Sequence, residues 1–145
     1  MSKEEQLQAL IMEVKLLESH INEISEREAL VTRILLESRA ALEVINNLGE
    51  KEVEALVPIG AGAFIYTNLS KVEKVVIGVG ADVIIEKSKE DAIAYLEKRL
   101  KELEENFVKL NSTKAEFVNR LNLKKAMVNN LVAELSQAQE PRGAE

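Results

Sequence analysis

Few residues in this chain have the types and spacing that chemistry requires. His20 is the only histidine, and there is no cysteine. Thiolate zinc sites, disulfides and thiol redox chemistry are therefore excluded. A lone imidazole without partner ligands reads as the flank of a helix rather than a metal site. Gly60-Ala61-Gly62 and Gly78-Val79-Gly80 resemble phosphate-binding loops only superficially. Neither leads directly into a helix, neither is followed by Lys-Ser or Lys-Thr, and neither completes a dinucleotide fingerprint. They read as turn glycines. The acidic groups Glu50, Glu52, Glu54 and Glu102, Glu104, Glu105 read as solvated faces. No nucleophile–base pair is present in the pattern, so an enzyme is not expected, and no cofactor is implied.

The elements that must position these residues are more informative. Two heptad-patterned segments, expected as helices over 6–48 and 89–138, flank a glycine-punctuated apolar middle over 53–87. A flexible tail is expected over 139–145, where Pro141 and Gly143 break the helix. With Leu7 at position a, the a positions are Leu7, Val14, Ile21, Glu28, Leu35 and Leu42, and the d positions are Leu10, Leu17, Ile24, Val31, Ser38 and Ile45. In the second segment the a positions are Ile93, Leu100, Phe107, Lys114, Leu121, Val128 and Leu135. The d positions are Leu96, Leu103, Leu110, Phe117, Lys124 and Leu131. An uninterrupted seven-residue register of this kind predicts left-handed supercoiling with a partner helix. The chain leaves along one helix and returns along the other, so the expected architecture is α+β: a long antiparallel coiled-coil hairpin with two β-hairpins between its helices. Each helix is expected to be on the order of 60 Å long. Asn46, Asn47 and Gly49 supply a stop for the first helix, and Ser88 a cap for the second. Glu28 and Lys114 interrupt the two seams at comparable distances from the middle segment and are expected to pair across the helices.

The middle holds an internal repeat. Ile59-Gly60-Ala61-Gly62-Ala63-Phe64-Ile65 matches Val79-Gly80-Ala81-Asp82-Val83-Ile84-Ile85. Each copy is an apolar run, a glycine turn and a second apolar run, which signals a β-hairpin. Turn roles fall to Gly60, Gly62, Gly80 and Asp82. Aspartate is tolerable if that position has positive φ. Val57, Ile59, Phe64, Ile65, Val75, Val76, Ile77, Val83, Ile84 and Ile85 are too many apolar residues for one face of so small a sheet. They are expected to pack against other subunits, because bare apolar edges aggregate.

Composition narrows the classes further. The formal charge of −6 argues against nucleic acid as a partner. No apolar run approaches a membrane span. The opening Met1-Ser2-Lys3-Glu4-Glu5 has no basic region leading into an apolar run. A soluble cytoplasmic protein without membrane contact is expected.

Leu56-Val57-Pro58-Ile59-Gly60-Ala61-Gly62-Ala63-Phe64-Ile65 resembles the strand–turn–strand segment of the prefoldin family's alpha class. Val75-Val76-Ile77-Gly78-Val79-Gly80-Ala81-Asp82, continuing through Ile85-Glu86-Lys87-Ser88 to Glu90-Asp91-Ala92-Ile93, is similar to that class's second hairpin and helix start. Asp82 departs from the glycine usual in the family. The resemblance covers essentially the whole chain and implies a hexamer of two alpha and four beta-class subunits. Their hairpins would form an oligomeric β-barrel platform carrying coiled coils. It further implies ATP-independent capture of non-native polypeptides at the coiled-coil tips and transfer to a group II chaperonin. Abundant Glu and Lys without cysteine suit an archaeal source. The residues at the helical end that carries the chain termini, Leu7, Leu10, Ile11, Val14, Met127, Val128, Leu131, Val132 and Leu135, form an apolar strip that could bind clients if the helices splay. Methionine adapts to varied surfaces. Two other classes remain open: a structural protein forming homo-oligomers or filaments through its hairpins, and a coiled-coil adaptor for one folded partner.

Overall fold

A computed structural model of the chain describes residues 1–49 and 51–139. The expectations for Glu50 and for the tail beyond residue 139 lie outside the described residues. The element order is α1 (Lys3–Asn47), β1 (Val53–Gly60), β2 (Ala63–Leu69), β3 (Lys74–Gly80), β4 (Val83–Ser88) and α2 (Lys89–Gln139). Neither helix contains glycine or proline, so no residue interrupts the backbone ladder. The fold is thus two long helices with two β-hairpins between them, as the heptad and repeat patterns indicate.

Helix ends are satisfied by specific side chains. Ser2 Oγ accepts a hydrogen bond from the Glu5 amide at 3.2 Å, and Ser88 Oγ accepts one from the Asp91 amide at 3.1 Å. Acids occupy both first turns, where the helix dipole favours negative charge. No basic residue lies in the last turn of α1. The Lys89 ammonium fills that role from across the sequence by donating to the Leu48 carbonyl. The Lys89 amide also donates to the Glu73 carbonyl at 2.9 Å. One residue therefore ties together the end of α1, the approach to β3 and the start of α2. Lys89→Met is expected to lower stability by about 0.3 to 1 kcal/mol and to speed amide exchange at Leu48. Unchanged exchange there would show that the ammonium does not hold this helix end.

The chain divides into two compact units, one comprising Met1–Val31 and Asn106–Glu145, the other Thr32–Glu105. In the first, Ile24, Leu121 and Leu131 are buried; in the second, Leu35, Ile45 and Ala92 are, together with the Ser38 hydroxyl side chain. Every a and d position named above is buried or half-buried, the polar ones included. In the first unit Lys114 Nζ lies 3.6 Å from the Glu28 carboxylate. Lys124, the other cationic seam residue, reaches Glu13 at 2.8 Å. Pairs of this kind contribute little each, but they oppose registers that would bring like charges together. A double-mutant cycle on Glu28→Ala and Lys114→Ala is expected to return a coupling of about 0.5 to 1 kcal/mol. A coupling of zero would remove the pair from any account of register.

The hairpins form two separate two-stranded antiparallel sheets, β1-β2 and β3-β4. Their irregularities match. Pro58 pairs with Phe64 and Gly60 with Ala63, so Ile59 is an extra residue. Gly78 pairs with Ile84 and Gly80 with Val83, so Val79 is the extra one. Each bulge precedes a two-residue turn, Ala61-Gly62 (φ 51° and 75°) or Ala81-Asp82 (φ 48° and 60°). Positive φ at both central residues suits the twist of tight hairpins. Gly60 and Gly80 have φ of 107° and 110°, a region that essentially only glycine occupies.

Candidate functional site

Two apolar surfaces are the candidates for function, one in each unit. The first is built by strand alternation. Pairing of Val57 with Ile65 and of Val53 with Leu69 places these four on one face of the first hairpin. Pairing of Leu56 with Tyr66 and of Pro58 with Phe64 places those on the other. Val57, Ile59, Phe64 and Ile65 are all exposed, Phe64 at 58%. In the second hairpin Val75 and Ile77 are half-buried and alternate with exposed neighbours. Lys87, paired with Val75, lies over the Tyr95 ring of α2 at 5.3 Å from its centroid, a cation–π arrangement. Arg99 donates to the Tyr95 hydroxyl at 3.4 Å. The second hairpin thus turns one face toward α2. Val76 and Ile84 point to its other face, where both are exposed, Ile84 at 67%; Val83 and Ile85 are exposed as well.

The second surface lies in the unit containing both chain termini. Leu7, Leu10, Val14, Val128 and Leu135 are half-buried and Leu131 is buried. The seam is therefore closed among these residues, and Lys3 reaches Glu134 at 3.3 Å beside it. Ile11, Met127 and Val132 are exposed on its flanks. The sequence reading left out Met12, Leu16 and Leu123, which are more exposed still. Leu16, Leu17 and Leu123, with Glu13, Arg120 and Lys124, line a shallow groove of about 290 Å³. The signal for Leu16 and Leu123 was available, because both are leucines at outer heptad positions where a two-helix seam needs none.

Polar chemistry is sparse. His20 is half-buried, its ring centroid 5.5 Å from that of Phe117. Among the described residues no cluster of His, Asp or Glu could hold a metal ion. Among them, too, no helix is long and apolar enough to cross a membrane.

A pair of long helices with apolar heptad seams, joined through two hairpins with exposed apolar side chains, defines a class of coiled-coil proteins. Within that class, the chain belongs to the prefoldin family: the family model described as prefoldin subunit matches residues 2–140. It is 34% identical over 139 residues to the prefoldin subunit alpha of Nitrosopumilus maritimus, covering 95% of this chain and 96% of that one. It is 31% identical over 119 residues to the prefoldin subunit alpha of Pyrococcus horikoshii, covering 80% of each. The fold matches the crystal structure of the prefoldin beta subunit from Thermococcus strain KS-1 with a TM-score of 0.60 at 17% identity. That match covers 94% of this chain and 95% of that one.

Proposed function

We propose that this chain works as an alpha-type prefoldin subunit in the cytoplasm, a component of an ATP-independent holdase. It assembles through its hairpins with beta-class prefoldin subunits, two alpha with four beta, into a β-barrel platform. Unfolded polypeptides are held by the coiled-coil segments near the chain termini and passed to a group II chaperonin. The observation that carries this reading is the set of apolar residues exposed on both hairpins, in a chain of the prefoldin family. Two-stranded sheets with bare apolar faces are marginal in water alone and aggregate unless a partner covers them.

Client binding rests on Ile11, Met127 and Val132 beside the seam, with Leu7, Leu10, Val14, Val128, Leu131 and Leu135 becoming available as the helix ends open. Several weak apolar contacts on separate arms hold a chain by avidity. The test is dilution of a chemically unfolded protein into buffer without ATP. The chain is added alone or with a beta-class prefoldin subunit. Suppression of aggregation that requires or is enhanced by the partner, with particles of hexamer mass, is the expected result. Removal of residues 1–11 and 132–145 is expected to abolish suppression while particle mass falls only by the residues removed. Full suppression after truncation would refute the client site. Filaments or closed particles of the chain alone, indifferent to the partner and without suppression, would favour a structural protein instead.

A further inference from the structure

The groove in the unit that holds the chain termini originates in a polar seam residue. Lys124 occupies a d position, and its ammonium reaches outward to Glu13 at 2.8 Å. It therefore does not fill its layer as a leucine would, and half-buried Leu17 is left at the floor. Leu16 and Leu123 form the walls and are mostly exposed. Met12 precedes Leu16 by four residues and Met127 follows Leu123 by four, so each shares a helix face with its leucine. They are the only methionines beyond Met1, and both are exposed. Unbranched thioether side chains adapt to apolar partners of varied shape. The groove is also cationic on balance: Arg120 and Lys124 line it against the single carboxylate of Glu13, on a chain whose formal charge is −6. Lys124 is paired with Glu13, and the neighbouring Lys125 with Glu18. Arg120 has no ion pair among the described residues. Its guanidinium lies over the Phe117 ring, 5.6 Å from the centroid.

We propose that this groove is a charge-selective subsite for unfolded polypeptides. Leu16, Leu17 and Leu123 take a short apolar stretch, and Arg120 selects an aspartate or glutamate beside it. A volume of about 290 Å³ is at the small end for ligand sites. It suits a few side chains of an extended segment and not a folded surface. The Phe117 ring supports the guanidinium at the groove, so less freedom is lost when a carboxylate arrives, and the fork of donors can bind both its oxygens. A lysine or arginine beside the same stretch would meet two cations of its own sign. The client-binding residues proposed above are all apolar and do not distinguish acidic from basic flanks. The groove adds that discrimination. This inference rests on the holdase reading.

The test uses the full chain assembled with a beta-class prefoldin subunit and two labelled peptides that share one apolar core. One peptide is flanked by glutamates, the other by lysines, and fluorescence anisotropy gives each affinity. The glutamate peptide is expected to bind about three- to fivefold tighter, against the repulsion from the chain's net negative charge. Arg120→Gln is expected to bring the two affinities together. Arg120→Lys, which keeps the charge, is expected to retain part of the preference. Leu123→Ala is expected to weaken both peptides and leave their ratio unchanged. Equal binding of the two peptides by the parent, or a ratio that Arg120→Gln leaves intact, would overturn the inference. Loss of group II chaperonin binding by Arg120→Gln with the peptide ratio intact would also overturn it, and give the groove to a folded partner. Aggregation suppression without a glutamate preference leaves the holdase reading standing and sinks the subsite alone. If the parent assembly neither suppresses aggregation nor binds either peptide, the holdase reading fails first and this inference with it.

Discussion

Replacing Phe64 and Ile84 together by aspartate is expected to abolish assembly with a beta-class partner, weakening it by at least about a thousandfold. Both side chains are more exposed than covered in the chain, so the substitution removes little burial within the subunit. Helical content is expected to stay at the parent's level. In an assembly whose hairpins cover one another, the same change has two costs. Each apolar side chain forfeits about 1.5 to 3 kcal/mol of burial. Each new carboxylate must also be desolvated without a partner, which costs several kcal/mol more. Sedimentation of the mixed subunits measures the outcome, with circular dichroism as the folding control. Particles of parent mass at parent concentration would mean that these faces are not the assembly surface.

The second large effect lies in the helical seam and is exposed by two leucines two residues apart. Leu121→Ala is expected to destabilise the protein by about 2 to 4 kcal/mol, as a truncation that leaves a cavity does. Leu123→Ala is expected to stay within about 0.5 kcal/mol of the parent. Leu121 is buried and Leu123 is 67% exposed, so the pair separates seam packing from mere leucine content. Urea unfolding at fixed protein concentration gives both values. Equal losses for the two variants would contradict the closed seam around Leu121. Leu123 lines the groove beside the seam, so its tolerance also keeps that surface open to mutation without loss of fold.

Much of this was legible in the residues because it is local or periodic. The heptad register that starts at Leu7 and at Ile93 identifies the seam positions, which are all buried or half-buried, including Glu28, Ser38, Lys114 and Lys124. A helix needs only its own sequence to decide which stripe faces a partner. The hairpins were legible for the same reason: the repeat marks each turn, and strand alternation assigns each side chain to a face. The apolar excess in the middle segment followed from counting, and it remains largely exposed in the chain, apart from the half-buried Val75 and Ile77.

What needed the tertiary structure was whatever depends on register between distant segments. Glu28 with Lys114 could be anticipated from their similar distance to the hairpins. Glu13 with Lys124 and Arg39 with Glu104 at 2.9 Å could not, since neither pairing is set until two helices choose a stagger. Lys89 looks like an ordinary first-turn lysine until the end of α1 comes within reach of its ammonium. The sign of φ at Ala61 and Ala81 depends on the two-residue turn that strand pairing imposes, and alanine by itself signals nothing of the kind. Leu16 and Leu123 become one groove only when the two helices lie side by side. Sequence by itself determined the elements, their apolar stripes and the apolar excess of the hairpins, because periodicity and composition are carried within each segment. Tertiary structure decided which charges meet, which carbonyl Lys89 caps and where an alanine takes positive φ, because those follow from geometry between segments that no single stretch of chain contains.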